Sequence, residues 1–208
     1  MKRLLFDLDN TLIKWKDEYT IALQKTIEEF NIDIDYHVID AVIEKQEKVH
    51  DMMNKEVLLN DINEETGLNL DMSFIERLFE HQKYIADIDD DVIETLEYLK
   101  DKYDIVLLTN YFIEPQIGRL KKVGIDKYFS RFIGGDMVLI KPHKEAFLEG
   151  VKDLPLENVT MIGDSVECDV KGALDAGINV IQMDYFNKYE DNSNWPIARK
   201  FSDLKKYL

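Results

Sequence analysis

The segment Arg3-Leu4-Leu5-Phe6-Asp7-Leu8-Asp9-Asn10-Thr11-Leu12 runs from a short, nearly apolar stretch straight into two carboxylates. A stretch that is apolar on both faces and then turns polar reads as a strand of a parallel sheet covered by helices on both sides. Three further runs have the same character: Ile105–Leu108, Val159–Ile162 and Val180–Gln182. A weaker one, Arg131–Ile133, precedes Gly134-Gly135. Helical patterns separate them at Val92–Lys100, Pro115–Val123, Lys144–Val151 and Glu167–Ala176, with Gly124 and Gly177 placed as left-handed caps. Strands alternating with helices predict an α/β, doubly wound parallel-sheet (Rossmann-like) core.

Residues 15–86 break this alternation. They hold one glycine, no proline and no convincing strand. Tyr19, Leu23, Ile27 and Phe30 share a helical face, as do Ile39, Ile43 and Met53, with Val42 and Val49 beside them. Phe74, Leu78 and Ile85, with Ile75 and Phe79, form another stripe. The spacing predicts roughly four helices inserted after the first strand. The domains expected are therefore residues 1–14 and 87–208 as the Rossmann-like core and 15–86 as a helical cap, with hinges near Ile13–Lys16 and Ala86–Asp90.

Charge divides along the same line. The 208 residues carry a formal −16, of which −10 falls on the insert. So acidic a chain is ill suited to nucleic-acid polymers or anionic lipid, both of which are gripped by clustered Lys and Arg. One cysteine, Cys168, excludes an intrachain disulfide framework. The apolar runs are too short to span a bilayer, and Asp7 comes too early for a signal peptide. A cytoplasmic monomer is the default expectation.

Polar clusters follow the strand ends, where ligands of open α/β sheets bind. They are Asp7 and Asp9, then Thr109-Asn110, then Asp164 with Asp169, and Lys141-Pro142 before a helix. Four crowded carboxylates repel unless a cation sits among them, and oxygen ligands without clustered His or Cys select a hard ion, naturally Mg²⁺. Mg²⁺, one ammonium and one hydroxyl suit a phosphoryl group, with one carboxylate as nucleophile and the other as acid and base.

These motifs, in this order, closely resemble the haloacid dehalogenase-like superfamily: Asp7-Leu8-Asp9-Asn10-Thr11-Leu12, Leu107-Leu108-Thr109-Asn110, Lys141-Pro142, and Gly163-Asp164 with Asp169. The resemblance spans the whole chain, the helical insert corresponding to the family's cap. It implies that Asp7 is the nucleophile and a Mg²⁺ ligand. Asp9 is then the acid and base, its backbone carbonyl touching the metal. Thr109, Asn110 and Lys141 bind the phosphoryl group, and Asp164 ligates the metal. Asp169 acts through a metal-bound water or by holding Lys141. Because Asp9 is an acid, phosphate-ester chemistry is favoured over dehalogenation. The expected substrate is a small phosphorylated metabolite, a nucleoside monophosphate or phosphosugar, as in the nucleotidase and acylneuraminate-9-phosphatase branch. A phosphotransferase or mutase on the same scaffold is the alternative, and an inactive binding module a more distant one.

Tyr111, where the family often has Gly, either narrows the pocket or packs between cap and core. His143, after Lys141-Pro142, either reaches the site or starts a helix in solvent. Trp15 either lines the entrance or packs the linker. Gln116 and Arg119 are read as surface or cap-contact residues, Cys168 as a packed small residue, and His37, His50 and His81 as isolated positions without metal-like spacing.

Overall fold

The computed structural model describes residues 2–14, 18–190 and 194–208. In chain order the first elements are β1 (Lys2–Phe6), α1 (Glu18–Glu29), α2 (Tyr36–Val49), α3 (Lys55–Thr66) and α4 (Met72–Lys83). There follow α5 (Asp90–Leu99), β2 (Tyr103–Leu108), α6 (Ile113–Lys122), β3 (Arg131–Ile133) and α7 (Lys144–Val151). The chain closes with β4 (Val159–Gly163), α8 (Gly172–Ala176), β5 (Asn179–Met183) and β6 (Ile197–Ala198).

Side-chain alternation along β1 builds two cores at once. Leu4 and Phe6 enter one layer and Leu5 the other, all fully buried. The same period of two places Ile105 and Leu107 opposite Val106 and Leu108, and Ile162 opposite Met161. The first layer is closed by Val92, Leu96 and Leu99 of α5, Leu120 of α6, and Phe201 and Leu204 near the C-terminus. The second is closed by Ala146, Phe147 and Val151 of α7 and by Ala173 and Ala176 of α8. The strand order is β3-β2-β1-β4-β5-β6 and every pairing is parallel, so the doubly wound sheet is as expected.

Gly124 and Gly177 both take positive φ, at 73° and 87°. Two features of the α/β core differ from expectation. β6 is a two-residue edge strand, too short to leave a hydrophobic pattern. The helix expected over Glu167–Ala176 begins instead as a wide π-type turn, Val166–Lys171, before α8. Its backbone explains why: the amides of Asp169 and Val170 both donate to the Ser165 carbonyl, and the Ser165 hydroxyl accepts from Cys168 N–H.

The inserted helices α1–α4 surround their own cluster, including Leu23, Ile39, Leu58, Ile62, Phe74, Leu78 and Phe79. Side-chain caps start three of them, with Asp35, Asn54 and Asp71 each accepting from amides two or three residues on. Val49, expected on an apolar face, is 62% exposed because α2 ends there and the chain turns away. Tyr111, Phe112 and Ile140 of the α/β core join the same cluster. Two backbone hydrogen bonds, Met53 N–H to Gly135 O (2.8 Å) and Ile140 N–H to Asp51 O (2.9 Å), fasten the insert to the sheet side. Glu114 of α6 adds ion pairs to Lys55 and Lys83 at 2.7 and 2.9 Å. Trp15 and part of the first expected hinge lie outside the described residues. No helix among the described residues is long and apolar enough to cross a membrane.

Candidate active site

Asp7 follows β1 and Asp164 follows β4, the two strands at which the order of the sheet reverses. Ligand crevices of doubly wound sheets open at this point, outside the carboxyl ends of the strands. The ladder continues one residue beyond β1, with Asp7 N–H donating to Ile162 O at 2.9 Å. The Asp7 side chain is thereby fixed at the sheet edge. Beyond it the chain folds back tightly, with Asn10 at φ 55° and its amide donating to Ile13 O at 2.7 Å.

Lys141 crosses from the loop before α7 into this edge. Its ammonium donates to Asp7 Oδ1 at 2.7 Å and to Asp169 Oδ1 at 2.6 Å, and the residue is 3% exposed. Such a charge is tolerable in the interior only when paired, and here two carboxylates surround it. They raise its pKa against the opposing effect of burial. The Asn110 side chain holds the Lys141 backbone from both sides, donating to its carbonyl at 2.9 Å and accepting from its amide at 2.8 Å. Gly135 makes this close approach possible: a Cβ there would lie 1.9 Å from the Asn110 carbonyl oxygen.

Asp7, Asp164 and Asp169 each present a carboxylate oxygen within 4.8 Å of the others. Burial pushes the Asp7 carboxyl well above the usual range, with Lys141 opposing and Asp169 and Asp164 adding to it. Burial also pushes Asp164 up to about 6, again with a contribution from Asp169. Three converging, partly desolvated oxygen donors fit a hard divalent cation such as Mg²⁺, whose charge would favour the ionised forms that burial penalises. Asp169 also accepts from Ser165 N–H at 3.0 Å, so one of its oxygens orients Lys141 and the other ties down the loop after β4.

The Asp9 carboxylate is not in that cluster. Oδ1 accepts from Arg119 Nη1 at 2.6 Å, and Oδ2 accepts from Gln116 Nε2 at 3.1 Å, with the Tyr19 hydroxyl 3.3 Å away. Gln116 Nε2 is also 3.1 Å from Thr109 Oγ1, which joins the expected phosphoryl ligand to the same network. Arg119 and Gln116 are not surface positions: they are 1% and 0% exposed and bind Asp9, and as cap-contact residues they meet the insert at the Tyr19 hydroxyl and, for Arg119, at the Ile85 carbonyl. Their spacing contained a signal. They lie one turn apart on the buried side of α6, where an arginine must find hydrogen-bonding partners for its charge.

A cavity of about 180 Å³ opens over these groups. Asp7, Asp9, Thr109, Asn110, Lys141, Asp164 and Asp169 all line it, so the structure brings the expected set together. Tyr111 lines it as well. Its ring packs 5.0 Å from Tyr19 and 6.2 Å from Phe79, and its hydroxyl accepts from Gln82 at 3.0 Å, joining insert to sheet. His143 is not among the lining residues; it faces Asp51 at 3.1 Å. Glu47 of α2 was not foreseen. It reaches the cavity from the insert and accepts from Asn110 Nδ2 at 3.2 Å. Much of the residue is open to solvent, but burial of its carboxyl group raises the pKa. Cys168 also lines the cavity, and burial pushes its thiol pKa up, away from nucleophilic use.

Comparison with known proteins gives the family and the fold. The profile of the haloacid dehalogenase-like hydrolases matches residues 1–177. Pyrimidine 5'-nucleotidase PynA of Streptococcus pneumoniae is 28% identical over 199 residues, covering 86% of this chain and 82% of its own. A phosphoglycolate phosphatase of Colwellia psychrerythraea is 28% identical over 207 residues, covering 92% and 88%. The magnesium-bound crystal structure of YfnB from Bacillus subtilis superimposes with a TM-score of 0.76 at 22% identity, over 100% of this chain and 98% of that one.

Proposed function

This chain belongs to the haloacid dehalogenase-like hydrolases, and within that family we propose that it is a Mg²⁺-dependent phosphatase acting on a small organic phosphate monoester through an aspartyl-phosphate. The observation that carries the reading is the Lys141 ammonium clamped between Asp7 and Asp169, with Asp164 completing three converging carboxylates beside an independently held Asp9. Similarity to a nucleotidase and a phosphoglycolate phosphatase supports phosphate-ester chemistry in this branch.

In this scheme an Asp7 oxygen attacks phosphorus in line, and the bond from phosphorus to the leaving oxygen breaks as Asp9 transfers a proton to that oxygen. Asp9 then takes a proton from water, whose oxygen attacks the aspartyl-phosphate and releases phosphate and free Asp7. Lys141 and Thr109 oppose charge on the phosphoryl oxygens, and Asn110 keeps Lys141 in place. Asp7, Asp164 and Asp169 would hold or surround Mg²⁺, which supplies further neutralisation of phosphoryl charge when bound. A dehalogenase releases halide without needing a proton, so a second carboxylate held by Arg119, Gln116 and Tyr19 is better explained by an ester leaving group. Residues 15–86 would act as a cap that excludes water while the ester bond breaks. The substrate proposed is a nucleoside monophosphate or phosphosugar. Turnover of an aryl phosphate with and without Mg²⁺, for the native protein and for Asp7→Asn, tests this reading. Activity that requires both metal and Asp7 is the expected result; activity that survives Asp7→Asn would overturn it.

A further inference from the structure

The cavity receives a carboxylate from the insert as well as those from the sheet. Glu47 Oε2 is anchored by Asn110 Nδ2 at 3.2 Å, and Oε1 makes no hydrogen bond among the described residues. Asn110 is held at the same time by the Lys141 backbone, so the anchor is itself rigid. Lys141 is the one cation among the described lining residues, and its ammonium donates to Asp7 and Asp169. The phosphoryl group belongs beside Asp7 at the sheet edge. The leaving group must then extend toward the insert, where it meets an acceptor and a negative charge.

We propose that Glu47 selects the leaving group, admitting hydrogen-bond-donating neutral or cationic alcohols and rejecting alcohols that carry a carboxylate. This deepens the phosphatase reading and rests on it. The physical basis is simple. A carboxylate with an unused oxygen can accept from a sugar hydroxyl or an ammonium, whereas a second carboxylate placed near it gains no hydrogen bond and is repelled. In a partly buried cavity, where the effective dielectric is well below that of water, that repulsion is worth about tenfold or more in discrimination. The chain therefore differs in preference from an enzyme whose natural leaving group is glycolate, despite its similarity to one.

Three esters on one two-carbon skeleton isolate the effect: O-phosphoethanolamine, 2-hydroxyethyl phosphate and 2-phosphoglycolate. For the native protein kcat/KM is expected to be at least about tenfold higher for the first two than for 2-phosphoglycolate. Glu47→Gln should shrink that ratio toward unity, and Glu47→Lys should reverse it in favour of 2-phosphoglycolate. The ratio is the decisive readout, because a variant that merely disturbs the fold lowers all three values together. A native preference for 2-phosphoglycolate, or a ratio that moves less than twofold in both variants while turnover persists, would overturn the role of Glu47 and leave the phosphatase reading intact. Failure of the native protein to turn over any of the three, or an aryl phosphate, would overturn both.

Discussion

Replacing Arg119 by Met keeps the volume of the stem and removes the guanidinium that holds Asp9. The structure assigns that group hydrogen bonds to Asp9 Oδ1, Gln116 Oε1, the Tyr19 hydroxyl and the Ile85 carbonyl. Removing one partner of a buried ion pair typically costs about 3–5 kcal/mol, because the other charge is stranded. The Asp9 side chain is 23% exposed and can recover some hydration, so the low end, about 3 kcal/mol, applies here. For a chain of this size that corresponds to a melting temperature lower by roughly 6–12 °C. The effect on rate is separable from the effect on stability. Gln116 and Tyr19 still contact Asp9, so about 10²-fold of the general-acid contribution is lost from kcat, with KM little changed. Arg119 acts as a positioning residue in this account. The loss should accordingly be large for an alkyl phosphate and several-fold smaller for an aryl phosphate, whose phenolate leaves with little need of a proton. Steady-state kinetics well below the melting temperature, on one ester of each kind, measures both numbers. A kcat within threefold of native on the alkyl ester would refute the claim that Arg119 positions the acid.

Removing Mg²⁺ should destabilise the protein more at neutral than at acid pH. The Asp7 and Asp164 carboxyls have raised pKa values in the metal-free fold, that of Asp164 near 6, so the folded state binds their protons more tightly than the unfolded chain. Metal-free stability from these groups therefore falls as pH rises from about 4 through 6 and beyond. Added Mg²⁺ at 100 times its dissociation constant contributes about 2.7 kcal/mol where the carboxylates are ionised, and less at pH 5, where protons compete. Thermal melts at pH 5 and 7.5, with and without Mg²⁺, give the two increments; equal increments would contradict the assignment. Gly135→Ala should cost activity beyond its effect on stability, because its Cβ would displace the Asn110 carbonyl and with it the clamp on Lys141. Melting curves and kcat measured together check this, and native kcat in a folded variant would count against the clamp.

The α/β layers were legible because the strands of the sheet interior are apolar or nearly so on both faces, and the breaks between strands are marked by polar or glycine-containing turns. β6 was not, since Ile197 and Ala198 are too few to show a period. The insert's stripes were legible where they recur every three or four residues, as in Phe74, Ile75, Leu78 and Phe79. They misled at Val49, because a helix end does not announce itself in periodicity alone. At the site, residues on strand ends could be read from position. Arg119, Gln116 and Glu47 could not be read with the same ease. Each acts from a helix, Glu47 by lining the cavity and the other two by binding Asp9, through contacts 63 to 110 residues distant along the chain. The first two at least left a trace as polar residues on a buried face. Glu47 left none, because an acidic residue on an acidic helix is what a solvated surface also looks like.

The covalent step is the centre of the account, and it can be tested by trapping. Rapid acid quench of the native protein with Mg²⁺ and a good substrate, followed by peptide mass spectrometry, should find a hydroxylamine-labile phosphate on the peptide containing Asp7 and none in Asp7→Asn. Phosphate release at a native rate with no such adduct, or with the adduct on another residue, would contradict it.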